Sequence, residues 1–474
     1  MLPTPNNYSV WPAVVPADKN VDITITATEK VHLFPEGAEY ELTVISADAD
    51  EVSYKTPRSH KKINVVAKGG ALCFGFTFSE EQEHIISISR DGKKLGEVVL
   101  YSLYEDLYRL LPVRGDFHGH SFRSDGKRDP SAVAGYYREM GYDFFTLTDH
   151  NRYYPGGEID ETFSGVKLGI TRVFGEEVHA PGSVVHIVHA GGKSSVAELY
   201  VHHVDEFEAE IAEKYMAKVP EYIPENFKER YAKAIWTSEK IHEAGGIAIF
   251  PHPFWRPGAS RVHNVRYEYS KEFITSGLFD AYELIGGMTQ SGNNESVAMW
   301  ADLRAEGNKI NVVGSSDVHA FKGGVYFPNY FTICFAEANE NDSIIEAVKR
   351  GMSVAVEGTG TEYERQYRAY GSYRLVTYAQ YLFKYYFPEL QRICQGEGVA
   401  MRAYACGDIT DPKVIELQVE ATESYKARFF GRSPAILPTA EILAFEDKWR
   451  EVQLAGPLTK GSSIVPNETN KRQI

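Results

Sequence analysis

The chain has 474 residues, more than one ordinary domain holds and enough for two or three, although a single barrel can occupy about 250 of them. Its 50 basic residues against 65 acidic ones leave a net charge of −15, which argues against a broad phosphate-backbone footprint and so against nucleic acid as the main partner. Cys73, Cys334, Cys394 and Cys406 show neither a CxxC pair nor other metal spacing, which excludes a disulfide framework and reads as free thiols in a reducing compartment. The opening residues Met1 to Asn7 lack the basic region and apolar run of a signal peptide, and no stretch is long enough to span a bilayer. A cytoplasmic enzyme acting on a small molecule is expected.

Residues 1–110 read as a β-rich domain. Val21–Thr26, Tyr40–Val44 and His84–Ser89 alternate apolar and polar side chains, and Pro-Glu-Gly, Lys-Gly-Gly and Asp-Gly-Lys turns separate them, which predicts a small antiparallel sandwich. From 111 to 358 the rhythm becomes apolar strand, helix, apolar strand. Ser131–Met140 has a helical cast after Pro130, Asp143–Thr148 follows as a strand, and Gly246–Phe250 and Ile310–Gly314 each follow a helix. That alternation predicts an α/β domain with a parallel sheet, open or closed into a barrel. Within it, about 197–245 forms a helical insertion that either covers the site or packs on the N-terminal module. Residues 359–474 read as a mainly helical region ending in a loosely ordered tail from about Gly456.

The chemistry gathers where the apolar strands end. Asp116-Phe117 leads to His118, Gly119 and His120, with Asp125 close behind; in a strand, side chains two apart point to one face, so both imidazoles aim together. Asp149 and His150 follow the next strand, and Glu176 and Glu177 the one after. His186 follows Val184-Val185, His252 follows Ile247–Phe250, and Asp317 and His319 follow Val312–Gly314. Twelve of the fifteen histidines lie between residues 118 and 319. In barrels, reactive groups collect at these C-terminal strand ends. Imidazole and carboxylate without thiolate suit zinc, manganese, iron or nickel, and so many donors exceed the needs of one ion.

These motifs resemble the PHP (polymerase and histidinol phosphatase) superfamily from about Gly115 to Val356. His118-Gly119-His120 with Ser124-Asp125-Gly126 matches the first motif, and Thr148-Asp149-His150-Asn151 the second. Gly175-Glu176-Glu177-Val178 with His186, Pro251-His252-Pro253 and Ser316-Asp317-Val318-His319 match the rest in order. The resemblance implies a distorted (β/α)7 barrel with a trinuclear site, and two or three divalent ions (Zn, Mn or Fe) are expected as cofactors. Its metal ligands would be His118, His120, Asp125, His150, Glu177, His186, His252, Asp317 and His319. Glu177 is preferred to Glu176 because the family's glutamate follows glycine after one residue and precedes an aliphatic one. His186, followed by two aliphatics, is preferred to His179 and His189, which are left as outer or surface groups. His202, His203, His242 and His263 read as solvated.

The implied activity is that of a metal-dependent phosphoesterase on a small phosphorylated metabolite or nucleotide. A metal-bound hydroxide would attack phosphorus, with Asp317 or His319 assisting proton transfer. Arg256 is the first candidate for holding substrate oxygens, followed by Arg123, Arg152 and Lys322 beside the ligand motifs, although a plain surface charge explains each equally well. The same centre could instead cleave a carboxylic or carbamate ester. An inactive metal-binding scaffold is the third reading, which the intact ligand series counts against.

Overall fold

The computed structural model describes residues 7–48, 52, 53, 56, 57, 60–258, 260–321, 326–360 and 365–455; Lys322 and the tail from 456 lie outside them. The chain divides into two compact units. One comprises Leu103–Phe430, and the other joins Pro3–Ser102 to Gly431–Ile474. The segment after 359 therefore belongs partly to each.

Among the described residues, the smaller unit holds an antiparallel sheet of two strands, Val52–Ser53 paired with Thr56–Pro57, and two larger antiparallel sheets. Tyr8–Trp11, Asn20–Ala27 and Ala71–Thr77 make one, and Val14–Pro16, Lys93–Leu103, Gln82–Arg90, Glu39–Ser46 and His60–Val66 the other. Gln82–Arg90 shows the cause: every second side chain is buried, so Ile86 and Ile88 face inward with Leu42, Val44, Val98 and Leu100. Gly70 sits at φ +75, a conformation that suits glycine, and Leu443 from the helix Ala440–Ala455 packs over it.

The larger unit is mixed α/β. A six-stranded sheet runs in the order Thr171–Val173, Phe144–Thr146, Leu111–Asp116, Tyr330–Ala336, Ser353–Thr359, Gln366–Tyr370. A five-stranded sheet runs Gly175–His179, His186–Ala190, Ile247–Phe250, Ala281–Ile285, Asn311–Gly314. The first three strands of the former are parallel, as are the last three of the latter, and the remaining pairs are antiparallel. Val113, Phe144, Val173 and Cys334 from one sheet meet Val188, Ile249, Ala281 and Val313 from the other in one buried apolar cluster.

The two sheets make a half-barrel and no clear (β/α)7 barrel, so the distorted barrel implied by the resemblance is met only in part. At one seam the chain leaves the first sheet at Val173 and enters the second at Gly175. At the other, a side chain substitutes for the ladder: the Thr332 hydroxyl accepts from Gly314 N at 3.0 Å and donates to Gly314 O at 2.8 Å. A Cβ on Gly314 would lie 2.6 Å from Phe331 O, so only glycine permits that approach.

Helices cover the outside. Glu225–Glu243 and Tyr267–Thr275 bury Tyr231, Ile235, Ile241, Phe273 and Ile274 against the five-stranded sheet. Phe387–Ala405 crosses Pro130–Glu139 at two glycines, where a Cβ on Gly398 would lie 2.5 Å from Gly135 O. The same crossing buries an ion pair, Arg138 Nε to Glu397 Oε2 at 2.6 Å. Among the described residues no helix is long and apolar enough to cross a membrane.

Candidate metal centre

The turn after Leu111–Asp116 is built by hydrogen bonds to two carboxylates that do not themselves join the donors. Asp116 accepts from His118 N at 3.1 Å, Ser316 N at 3.0 Å and Tyr137 Oη at 3.1 Å, tying the first motif to the last. Burial raises the Asp116 pKa to about 7 against these donors. Asp149 accepts from Ser121 N at 2.9 Å, Ser121 Oγ at 2.6 Å and Ser124 Oγ at 2.5 Å, folding the loop so that Asp125 returns toward the histidines. Gly119 is required between the two imidazoles, because a Cβ there would meet Tyr137 Oη at 2.4 Å.

Five overlapping groups of side chains could hold a metal ion. They are His120, Asp125, His150 and His319; His118, His120 and Glu177; His118, His252 and Asp317; His150, Glu177 and His179; and Glu177, His186 and His252. All nine residues proposed as ligands from the sequence meet here, and His179 joins them. Glu177 stands at the junction. Its Oε1 lies 3.0 Å from His186 Nδ1 and 3.3 Å from His252 Nε2. Its Oε2 faces His118 Nε2 at 3.4 Å, His120 Nε2 at 3.6 Å and His150 Nδ1 at 2.7 Å. His118, His120 and Glu177 are at most 1% exposed and form the floor, whereas Asp125 at 53% lies at the mouth.

Whether these residues suit a metal can be judged from their own polar atoms. His118 Nε2, Glu177 Oε2 and His186 Nδ1 are buried without a hydrogen-bond partner, and all three belong to the donor groups. Buried polar atoms are normally paired, so atoms of this kind converging on one place suit a cation.

Electrostatics agree. Against the effect of burial, the Asp317, Glu283 and Glu177 carboxylates hold the His118 pKa well above its ordinary value. Asp125 and Glu177 likewise carry His150 to about 10. His252 and His319 are also raised, whereas burial lowers His120 and takes His186 down to about 4. Asp317 and Asp125 are held far below the carboxylate range by facing imidazoles, despite burial that opposes it. Without metal, protons on imidazoles neutralise the carboxylates.

Two candidate donors occupy the left-handed region, His252 at φ 31 and Asp317 at φ 49. His252 N is held by Glu283 Oε2 at 2.9 Å. Gly287 makes room for Asp317, since a Cβ there would lie 2.4 Å from Asp317 Cβ.

Glu283 was not anticipated from the sequence. It is fully buried, and its Oε1 accepts from His118 Nδ1 at 2.7 Å, so that the Nε2 of His118 is the atom turned toward Glu177 and Asp317. Its signal was a lone carboxylate inside the strand Ala281–Ile285, whose five residues are all buried. His179 was also passed over, although it stands two residues from Glu177 on the same strand face. His189 stays outside the cluster, facing Glu176 at 3.3 Å.

The cationic candidates are placed less directly. Arg256 Nη2 bonds Glu295 at 2.7 Å, and Arg123 is held by Glu158 at 2.8 Å. Arg152 is exposed. Trp255, next to Arg256, lies against the ligands, with ring centroids 5.5 Å from His252 and 5.8 Å from His186.

No protein-family description matches the chain. No curated protein matches it either. Among solved structures, a two-domain Bacteroides vulgatus protein with a sequence-assigned PHP-like metal-dependent phosphoesterase domain aligns at 18% identity and TM-score 0.35. The alignment covers 52% of this chain and 65% of that one, just under two thirds of its length. A Bifidobacterium adolescentis protein named for metal-dependent phosphoesterase activity aligns at 16% identity and TM-score 0.33, over 50% of this chain and 96% of that one. An amidohydrolase of Chromobacterium violaceum, with bound sulfate and no metal, aligns at 19% identity and TM-score 0.30, over 45% and 89%.

Proposed function

We propose that the chain is a metal-dependent hydrolase, a phosphoesterase acting on a small phosphorylated metabolite or nucleotide at a trinuclear centre. The observation that carries this reading is the position of Glu177, whose two carboxylate oxygens take part in three donor groups at once. A shared carboxylate is what closely spaced cations need. Bound there, divalent cations would lower the pKa of water toward neutrality and offset charge developing on ester oxygens.

The protein's own groups would do the positioning and the proton handling. His319 Nδ1 donates to the Asp317 carbonyl at 2.8 Å, which turns its Nε2 toward Asp125 at the mouth. From there it is suited to hold or pass a proton of the leaving group, while Asp317 fixes His120 Nε2 at 3.0 Å. Arg256 has donors beyond those given to Glu295 and Ser291, so a substrate oxygen could share it, and exposed Arg152, two residues past His150, is the further candidate. The four cysteines are free thiols, in keeping with a cytoplasmic setting.

Carboxylic or carbamate ester hydrolysis is the second reading. It is favoured by the pairing of both Arg256 and Arg123 with glutamates, which reserves neither guanidinium for two phosphate oxygens. A panel of aryl phosphates, acetates and carbamates, assayed with Mn2+ or Zn2+, tests both. Preferred phosphate cleavage that disappears in the His118→Ala/His120→Ala double variant is expected. Equal activity in that variant would sink both readings, and preference for the carbonyl esters would select the second.

A further inference from the structure

We propose that His179 is a tenth metal donor at this centre, held in place by a clamp that Asn151 forms and a hydroxyl of the helical insertion braces. The inference rests on the site being a metal centre and adds a ligand that the motif resemblance does not assign.

The pleat of Gly175–His179 sends Glu177 and His179 to one face. In the antiparallel register His179 stands directly opposite His186, and their rings stack with centroids 3.7 Å apart and planes inclined by 18°. His179 Nε2 lies 3.0 Å from His150 Nδ1 and 3.4 Å from Glu177 Oε2, and these last two atoms are 2.7 Å apart. Two donors about 2.1 Å from one ion, at angles between octahedral and tetrahedral, stand about 3.0–3.4 Å apart, close to these edges. A single N–H on His150 cannot point along both directions, whereas one cation can receive all three atoms. Glu177 Oε2 is buried and has no hydrogen-bond partner of its own.

The backbone of His179 is fixed from both sides. Its N–H donates to Asn151 Oδ1 at 2.7 Å, and Asn151 Nδ2 donates to its carbonyl at 3.3 Å. Tyr200 Oη donates to the same Asn151 Oδ1 at 2.6 Å. Asn151 sits in the left-handed region at φ 52, next to the ligand His150, and these bonds hold it there. Tyr200 belongs to the short helix Glu198–Val201 at the head of the insertion, 1% exposed, and packs on Phe207 and Trp236 of the same insertion. The insertion thus reaches the centre through one hydroxyl.

The test uses full-length protein and Co2+ as the probe. A His179→Cys variant loaded with Co2+ is expected to show a near-ultraviolet thiolate-to-cobalt charge-transfer band that the wild type lacks. Tyr200→Phe, which keeps the ring, is expected to weaken Co2+ binding about 10-fold in chelator competition, the lower end for groups that orient ligands. A cobalt-loaded His179→Cys protein without the band overturns the donor assignment, and wild-type affinity in Tyr200→Phe overturns the clamp. If the wild type binds no Co2+, the metal-centre reading itself fails, a result distinct from either.

Discussion

Glu283 Oε1 lies 2.7 Å from His118 Nδ1, and both side chains are fully buried. A carboxylate behind an imidazole fixes the ring's orientation and raises its strength as a donor. Glu283 also accepts from His252 N, so one side chain orders two of the candidate ligands. Glu283→Gln, close in shape, should lower metal affinity by about 10–100-fold in chelator competition. Wild-type affinity in that variant would deny Glu283 this role.

Metal uptake should release protons. His118, His150, His252 and His319 all have raised pKa values in the metal-free site, His150 at about 10, so cations entering at neutral pH must displace protons. Calorimetric heats of Zn2+ binding at pH 7 should differ between buffers of low and high ionisation enthalpy by more than one proton per chain. Affinity should rise with pH until these imidazoles are neutral. Identical heats in the two buffers would contradict the protonated site.

The smaller unit should lose stability in mild acid. His84 hydrogen-bonds Ser46 and Ser102, and burial lowers its pKa from 6.5 to about 4. The unfolded chain then binds a proton that the folded unit refuses, so stability is full above about pH 6.5 and falls until about pH 4. The difference, 6.5 − 4 = 2.5 pH units, corresponds to about 3 kcal/mol. Urea midpoints at pH 7 and pH 5 should show the loss, and His84→Leu should flatten the dependence whatever its absolute stability.

Glu397→Ala should destabilise the larger unit by up to about 3 kcal/mol, the low end for a broken buried pair, because it removes the 2.6 Å partner of buried Arg138 and leaves only Asp143, at 3.8 Å, as its counter-charge. It also removes the acceptor for Gly169 N, at 2.6 Å. An Arg138→Met/Glu397→Leu double variant should recover much of that loss. Denaturant midpoints of both variants give the answer, and a neutral Glu397→Ala would show the pair to be solvated.

The donors were legible in the sequence because histidine and carboxylate side chains are uncommon after apolar strands; four strand ends carry such groups, whereas Glu177, expected at a strand end, lies inside Gly175–His179, and His186, also expected at one, opens His186–Ala190. Glu283 was not legible, because it lies mid-strand among apolar residues, where periodicity reports burial and says nothing of what a lone charge faces. His179 could have been found from its spacing to Glu177. The partners of Arg256 and Arg123 lie 39 and 35 residues away, at Glu295 and Glu158, so those pairings depend on the folded chain. The distorted (β/α)7 barrel is met only in part, as a half-barrel with Thr332 bonding Gly314 at the seam, since alternation of strands and helices carries no information about which ladder completes.

The neighbouring carboxylates of Gly175–His179 divide their labour by pleat alone. Glu177 turns to the donors, while Glu176 turns the other way and accepts from Ser195 Oγ at 2.9 Å, Val196 N at 2.5 Å and Ala197 N at 3.3 Å, where the insertion begins. Cutting out residues 197–245 would remove one of those donors outright and free the other two, leaving a fully buried carboxylate with His189 Nδ1, at 3.3 Å, as its remaining partner. Loop-swap experiments that treat the insertion as a detachable appendage should therefore damage the wall of the centre, even when the new junction spans the gap without strain.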